Sequence, residues 1–446
     1  MSYLDVIGNT LDDSSVAEFE VSAESLELFS EQEWMELDSS FEDFEVNIPA
    51  VSAISRIVNV VSSMESVSET EGALYFAEVN SNLAHFDIST EDLGIDVTNF
   101  QGTPSLEGLV DWIAKVWRKA GDGIKRAATS ISNFKRSHLT ILGTRVKFTR
   151  GALSKAMSAE GSPLKSEINI GVAAGNIVVD SVVPKNTKEL LAAMATLEAQ
   201  MDYLYGDWLP DFEKKLDEIR KVYRKTKILE VVSGIDDAIE VLRTFDFKEP
   251  IKKMGVGKNF VRGDNISTSK TIMGNMAVVA NNRTFATGVK LTSMEYGKRL
   301  EILESALQMT LELKDVPFAG RRPIDSVFKA PNKEEIIQIA EANARLVEKA
   351  LAYFKRTTNR GFSRQLLKDV GDYAAANFKL SYGSAMNING LDFRQNDFQR
   401  MIDASYRLGA KSMRWYYNPG NKYIKQVGKV SSSISDIIKK SIRNLE

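Results

Sequence analysis

The feature that most constrains how this chain folds is the sorting of charge along it. Residues 1–100 hold 22 Asp/Glu against one basic residue, Arg56, a net of −21. The other 346 residues hold 56 Lys/Arg against 38 Asp/Glu, a net of +18. Apolar residues in the acidic part occur in short groups between carboxylates, as in Leu26-Glu27-Leu28-Phe29 and Phe41 to Val46. Such a segment cannot bury enough apolar surface to offset its chain entropy, so it is expected to be partly disordered with short helices. The folded body must therefore come from the rest of the chain. The total charge of −3 hides this division. Two readings of the acidic part stand side by side: a solvated head that aids solubility, or a mask over the basic body until it is removed or displaced.

Residue usage removes most catalytic chemistries. With no Cys and only two His, His85 and His138, there are no disulfides, thiolate metal sites or Cys nucleophiles, and little for imidazole chemistry. Gly255-Val256-Gly257-Lys258-Asn259 lacks the glycine spacing and the Ser/Thr of a phosphate-binding loop and reads as a plain loop. Ser162-Pro163-Leu164-Lys165 and Ser267-Thr268-Ser269-Lys270 have Ser-x-x-Lys spacing without the partner motifs of an acyl-transfer site. No catalytic, cofactor-binding or metal-ligating set is assigned, and no constellation argues for an enzyme. The segment MSYLDVIGNT has neither a basic n-region nor an apolar h-region, so export by a signal peptide is not expected. No apolar run reaches the length of a spanning helix.

Beyond residue 105 helical spacing dominates. Leu106, Leu109, Val110, Ile113, Val116, Trp117, Ile124, Ala128, Ile131 and Phe134 recur at 3–4 intervals, with Lys115, Arg118, Lys119, Lys125, Arg126, Lys135 and Arg136 opposite. A basic amphipathic helix of this kind lies on a membrane, on a partner's groove, or on the protein's own core, the last being the commonest use. Residues 137–185 are rich in Gly and β-branched side chains and read as short strands and loops. Asn186-Thr187-Lys188-Glu189 has capping-box character and leads into Leu190, Leu191, Met194, Leu197, Met201 and Leu204. Pro210-Asp211 predicts a new helix, which Ser233-Gly234 would interrupt. Residues 246–270 read as a loop. Ile272 to Ala280 and Thr284 to Leu291 read as the arms of a β-hairpin. Thr292-Ser293-Met294-Glu295 predicts a helix carrying Leu300, Leu303, Leu307 and Leu311, and Pro331-Asn332-Lys333-Glu334-Glu335 predicts another long one. Phe362 to Glu446 predicts three or four further helical segments.

The expected fold is mainly α: an elongated helical bundle with a β-hairpin and a few short strands, behind an acidic, partly disordered N-terminal region. Its parts are 1–105, acidic and propeptide-like; 106–160, a basic amphipathic helix and linker; 161–350, a helical body with the hairpin near 272–291; and 351–446, a basic helical C-terminal region.

That last region holds 17 Lys/Arg against 7 Asp/Glu. Arg356, Arg360, Arg364 and Lys368 recur every fourth residue, one stripe if the helix is continuous past Gly361. Lys411, Arg414, Lys422, Lys425 and Lys429 surround Trp415, Tyr416, Tyr417 and Tyr423. Basic groups interleaved with aromatics suit contact with a phosphate backbone and stacking on unpaired bases. The pattern fits equally a helix whose aromatics are core and whose cations are solvated.

Met157-Ser158-Ala159-Glu160-Gly161-Ser162 contains a small-x-Glu sequence followed by small residues. It resembles the sites cut by the prohead protease of giant tailed bacteriophages. The layout as a whole, an acidic N-terminal region before a helical body with a Trp-containing basic amphipathic stretch, resembles the internal head (inner core) virion proteins of those phages. Ser22-Ala23-Glu24, Ser25-Leu26-Glu27, Ser63-Met64-Glu65 and Ser105-Leu106-Glu107 match the short motif as well. The resemblance implies a non-enzymatic virion structural protein without cofactors, made in the host cytoplasm, assembled in the prohead and found inside the phage head. Its implied partners are other head and core proteins, the prohead protease and packaged DNA. Membrane contact through 106–134 is the less favoured use of that stretch. The implied cut follows Glu160, with Ser158 and Ala159 before it and Gly161 after it. Charge agrees: residues 1–160 hold 12 Lys/Arg against 26 Asp/Glu and residues 161–446 hold 45 against 34, so the cut divides −14 from +11. The competing reading is a cytoplasmic helical nucleic-acid- or protein-binding module, autoinhibited by its acidic region.

Overall fold

The computed structural model describes residue 129 and residues 133–446, except 135, 226–227, 259, 262, 283–289, 292–293, 318–325, 360–361, 363–364, 367, 371–372, 374–386, 389–390, 393–394 and 446. The acidic region and the Trp-containing stretch up to 128 lie outside these residues.

Helices dominate. The first, α1, covers 136–158, with 133–134 also helical. Residues 137–158 are thus helix, not the strands and loops that Gly and β-branched content suggested. Short elements follow: β1 (Glu167–Asn169) and α2 (Ala173–Ile177). From Thr187 the chain runs helically with few breaks as α3 (Thr187–Tyr203), a π turn (Leu204–Trp208), α4 (Leu209–Arg220), a 3-10 turn (Lys221–Arg224) and α5 (Ile228–Arg243). The capping box forms as expected: Glu189 N–H donates to Asn186 Oδ1 at 3.0 Å, and Glu189 Oε2 accepts from Lys185 N–H at 2.8 Å. The Lys185 amide, and after it Asn186 Nδ2 donating to Glu189 Oε1 at 2.8 Å, hold the exposed Glu189 carboxyl below its ordinary pKa. Pro210 stands in the first turn of α4, as expected, but no loop precedes that helix: it follows α3 through the π turn. Proline lacks the N–H for an i→i−4 bond, and the π turn just before it absorbs the mismatch while the helix continues. Ser233-Gly234 does not break α5 either, because Ile235, Ala238, Ile239 and Leu242 hold one face in the core.

The expected loop at 246–270 contains α6 (Lys248–Met254) and β2 (Ile266–Thr268). Met276–Asn281 forms β3, paired antiparallel with β2 on one side and β4 (Thr310–Asp315) on the other. Most of the other expected hairpin arm, at 283–289, lies outside the described residues. α7 (Tyr296–Ala306) stops before Leu311, which lies in β4. β5 (Val327–Lys329) pairs with β1, and β6 (Asn387–Ile388) with β7 (Leu391–Asp392). α8 (Lys333–Asn359) begins on a reciprocal cap, with Glu335 N–H donating to Asn332 Oδ1 at 2.8 Å and Asn332 N–H to Glu335 Oε2 at 2.9 Å.

The three or four segments expected at the C-terminus are largely one helix, α9 (Gln395–Arg443), 49 residues long. At ~1.5 Å per residue it spans roughly 70 Å. It packs against α8, α2, α4, α7 and β4 and forms the spine of the molecule. Pro419 lies inside it. Every residue from Trp415 to Asn421 is buried, so tertiary packing outweighs the lost backbone bond. Next to the proline, Gly420 lets the Tyr205 ring approach: a Cβ there would lie 2.6 Å from the Tyr205 hydroxyl.

Candidate processing site and cationic stripe

α1 reaches the core through a ladder of residues spaced by three and four. Phe134, Ser137, His138, Ile141, Leu142, Arg145, Thr149 and Ala156 are all buried. The Phe134 ring meets Phe354 of α8 edge-on at 6.2 Å, and His138 lies 5.9 Å from the same ring. Arg145 packs against α9, its Nε 3.4 Å from where a Cβ on Gly428 would stand. Arg150 donates from Nε to Glu348 Oε1 at 2.7 Å. His138 Nδ1 donates to the Phe134 carbonyl at 3.1 Å. Burial, opposed by that bond and reinforced by nearby Lys425, pushes the His138 pKa down to about 4. The ring is therefore neutral at ordinary pH, a bystander to chemistry and part of the packing between α1, α8 and α9.

The helix ends at the candidate cleavage sequence. Ser158 is exposed, its hydroxyl donating to Ser154 O at 3.1 Å. Ala159 is buried and its N–H donates to Lys155 O at 3.0 Å. From Glu160 the chain leaves the helix, and residues 160–167 are exposed without a break. Gly161 has φ +109°, and a Cβ there would lie 2.4 Å from the Leu445 carbonyl oxygen, so only glycine fits. Three residues on, the chain is fastened again. Leu164 N–H donates to Asn444 O at 2.8 Å, Lys165 N–H to Asn444 Oδ1 at 3.1 Å, and Asn444 Nδ2 to Lys165 O at 3.0 Å. Asn444 and Leu445 are components of this site that sequence reasoning missed. They lie 279 or more residues away, and nothing local marks the pairing. The competing matches at Glu24, Glu27, Glu65 and Glu107 lie outside the described residues.

The cationic residues divide into two groups. In the first, Arg356 donates from Nη2 to the Tyr205 carbonyl at 2.5 Å and lies over the Tyr353 ring. α8 ends at Asn359; Arg360 and Arg364 lie outside the described residues, and Lys368 is exposed. In the second group Lys411, Arg414, Lys422, Lys425 and Lys429 all stand on α9. Because that helix is continuous through Pro419, ~100° per residue places the five within an arc of roughly 80°. Between 411 and 431 they are the residues that are not fully buried. The edge that α9 leaves open over this length is therefore a line of cations. The interleaved aromatics point the other way. Trp415, Tyr416, Tyr417 and Tyr423 are between 0% and 2% exposed, so none is available to stack on a base. Trp415 donates its indole N–H to Met309 O at 2.8 Å and packs on Phe245 and Phe247. Tyr423 donates to Gln200 Oε1 at 2.5 Å, and burial raises its pKa far above the usual phenol value.

Among the described residues no group of His, Cys, Asp and Glu could hold a metal ion, and no helix is long and apolar enough to cross a membrane. A family model described as phiKZ-like phage internal head proteins matches residues 36–440. No curated protein and no solved structure matches the chain.

Proposed function

Because the chain belongs to the phiKZ-like phage internal head proteins, whose place is inside the phage head among its other components, we propose that it is a structural protein matured there by proteolysis after Glu160. The observation that carries this reading is the exposure of residues 160–167 at the end of α1. A protease needs consecutive accessible residues, and residues 160–163, exposed and ahead of the Asn444 clamp, supply them at the end of the small-x-Glu sequence. Ser158 stands at the small position, Glu160 before the cut and Gly161 after it. The family supports a non-enzymatic role, and the function needs no cofactor.

Within the particle we propose that the body contacts packaged DNA through the phosphate backbone. The support is the stripe Lys411, Arg414, Lys422, Lys425 and Lys429, with Arg356, Arg360, Arg364 and Lys368 as further contributors. With the aromatics of α9 in the core, such contact is electrostatic and indifferent to sequence. The acidic region of the uncut chain would compete for these cations and delay contact until maturation. The prohead protease and DNA are thus the proposed partners beyond other head proteins.

The test of processing is α-amine labelling of protein from purified virions, followed by mass spectrometry. A labelled Gly161 is expected, with peptides from 1–100 depleted relative to those from 300–400. Absence of a Gly161 amino terminus would overturn the reading, and equal abundance of the two regions would overturn only the loss of the acidic region. For DNA contact, affinity of the processed protein for duplex DNA should fall with salt at a log–log slope of about −0.9 per phosphate contacted. Lys411→Ala combined with Lys422→Ala should reduce that slope by roughly 2.

A further inference from the structure

We infer that cutting at Glu160–Gly161 does not release α1: residues 133–159 stay on the processed body as a non-covalently held helix. This rests on the reading above that this bond is the one cut.

The two flanks of the bond are anchored separately, and the bond itself carries no anchor. Upstream, Phe134, His138, Leu142 and Ala156 are 3% exposed or less, and Phe134 and His138 close over Phe354 of α8. Arg150 pairs with Glu348 on that helix, and Arg145 packs at Gly428 of α9. Downstream, Asn444 clamps Leu164 and Lys165 through three hydrogen bonds. Between these attachments Glu160 and Gly161 are exposed. Hydrolysis there breaks one peptide bond and leaves these contacts of α1 in place. Departure of α1 would instead strip Phe134 and His138 from the Phe354 ring of α8.

Two consequences follow. A single cut after Glu160 nicks the chain without shedding the acidic region, because that region remains continuous with the retained helix. Its loss requires a further cut upstream of α1, for which Ser105-Leu106-Glu107 offers a sequence. The retained piece is itself basic: residues 108–160 hold 11 Lys/Arg against 3 Asp/Glu. Arg136, Lys147, Arg150 and Lys155 of α1 are exposed, and the Lys425 end of the α9 stripe lies beside His138. Retention therefore adds cations to the DNA-facing body, where release would remove them.

The experiment uses the full chain with the recognition sequence of a specific protease inserted between Glu160 and Gly161, arranged so that cleavage leaves Gly161 first. After complete cleavage the fragments are passed over a sizing column in native buffer and again in urea. Co-elution in buffer and separation in urea are expected. Elution of the N-terminal fragment alone in buffer overturns the inference. Leu142→Asp should convert co-elution into separation, and co-elution that survives it overturns the assignment to α1. Hydrogen exchange on the cut, unsubstituted protein is independent of whether that variant folds. Amides of 136–158 should keep their protection to within about tenfold of the uncut chain, and loss to the level of a free peptide overturns the inference. In virions the two ideas separate. A Gly161 amino terminus without peptides from 136–158 overturns retention and leaves the processing reading standing. Absence of that terminus overturns the processing reading alone, since retention is measured on the protein cut in vitro.

Discussion

α1 and α9 are both basic helices that lie against each other, yet they are built in opposite ways. α9 buries nearly its whole circumference between 411 and 431 and leaves only a narrow edge, made of cations. Its buried faces are dominated by large aromatic and aliphatic side chains such as Trp415, Tyr416, Tyr423, Val427 and Ile434. α1 buries a single ladder in which half the members, Ser137, His138, Arg145 and Thr149, are polar. Burial of polar groups gains little beyond their hydrogen bonds, so each turn of α1 is held less firmly than a turn of α9. The body is organised around α9, while α1 is an attachment whose strength responds to conditions. That contrast suits a segment next to the proposed cleavage site.

The sharpest way to break the comparison is to damage each helix at its best-packed point. Trp415→Ala should destabilise the whole body by about 3–5 kcal/mol, through lost packing on Phe245 and Phe247 and an orphaned Met309 carbonyl. Urea unfolding followed by circular dichroism should show one cooperative transition moved to lower denaturant. A second transition that left the body intact would contradict the role of α9 as spine.

Acid should act on α1 and spare α9. The His138 pKa falls from 6.5 to about 4 on docking, chiefly because burial disfavours the imidazolium. Above pH 6.5 the ring is neutral in both states and docking has its full strength. As pH falls toward 4 the undocked form takes up a proton that the docked form refuses, so stability declines. Below that the loss levels off at about 3 kcal/mol. Hydrogen exchange at pH 7 and at pH 4.5, corrected for intrinsic rates, should show 136–158 losing protection while 420–435 keeps it. His138→Phe should flatten the response, and an unchanged response would show that another group titrates.

How much of this could be read in the sequence depended on what filled the buried positions. Helix starts with side-chain caps, at Asn186 and Asn332, were legible because capping is local. The aromatic-rich C-terminal region was legible as helical, but its continuity was not. Three or four segments were expected where one helix runs through Pro419, and only the surrounding core shows why it persists. α1 was missed for a related reason. Its inward ladder has the right spacing, but Ser137, His138, Arg145 and Thr149 blur the apolar period, and Gly143 and Gly151 add false loop signals. Basic and aromatic residues in alternation fitted base stacking and core aromatics equally, and the structure puts the aromatics in the core and keeps the cations at the edge. The proposed cleavage sequence was visible as four residues. Its setting, an exposed run tied down by Asn444, depends on a contact no local pattern encodes.

Asn444 also supplies a smaller test, on the downstream flank. Asn444→Ala removes the side-chain bonds to Lys165 N–H and Lys165 O but leaves the backbone bond from Leu164. A loss of about 1–2 kcal/mol is expected, confined to the start of the body. Limited proteolysis should then cut 160–167 faster, while exchange in 136–158 is unaltered. Coupled loosening of α1 would mean that the flanks are not independent.

The smallest effect should come from the ion pair on the outer side of α1. Arg150 and Glu348 are 2.7 Å apart, with side chains 67% and 41% exposed. Exposed pairs are worth roughly 0–1 kcal/mol and are screened by salt. Arg150→Ala should therefore raise exchange in 136–158 by no more than about fivefold in dilute buffer and hardly at all at about 0.5 M salt. A larger or salt-independent effect would mean that α1 is held by its charged rim, not by its buried ladder. The acid response would then have to be reassigned from His138 to that rim. Combining Arg150→Ala with the pH comparison separates the two: if the ladder holds α1, the acid-induced loss of protection persists in the variant at nearly its full size.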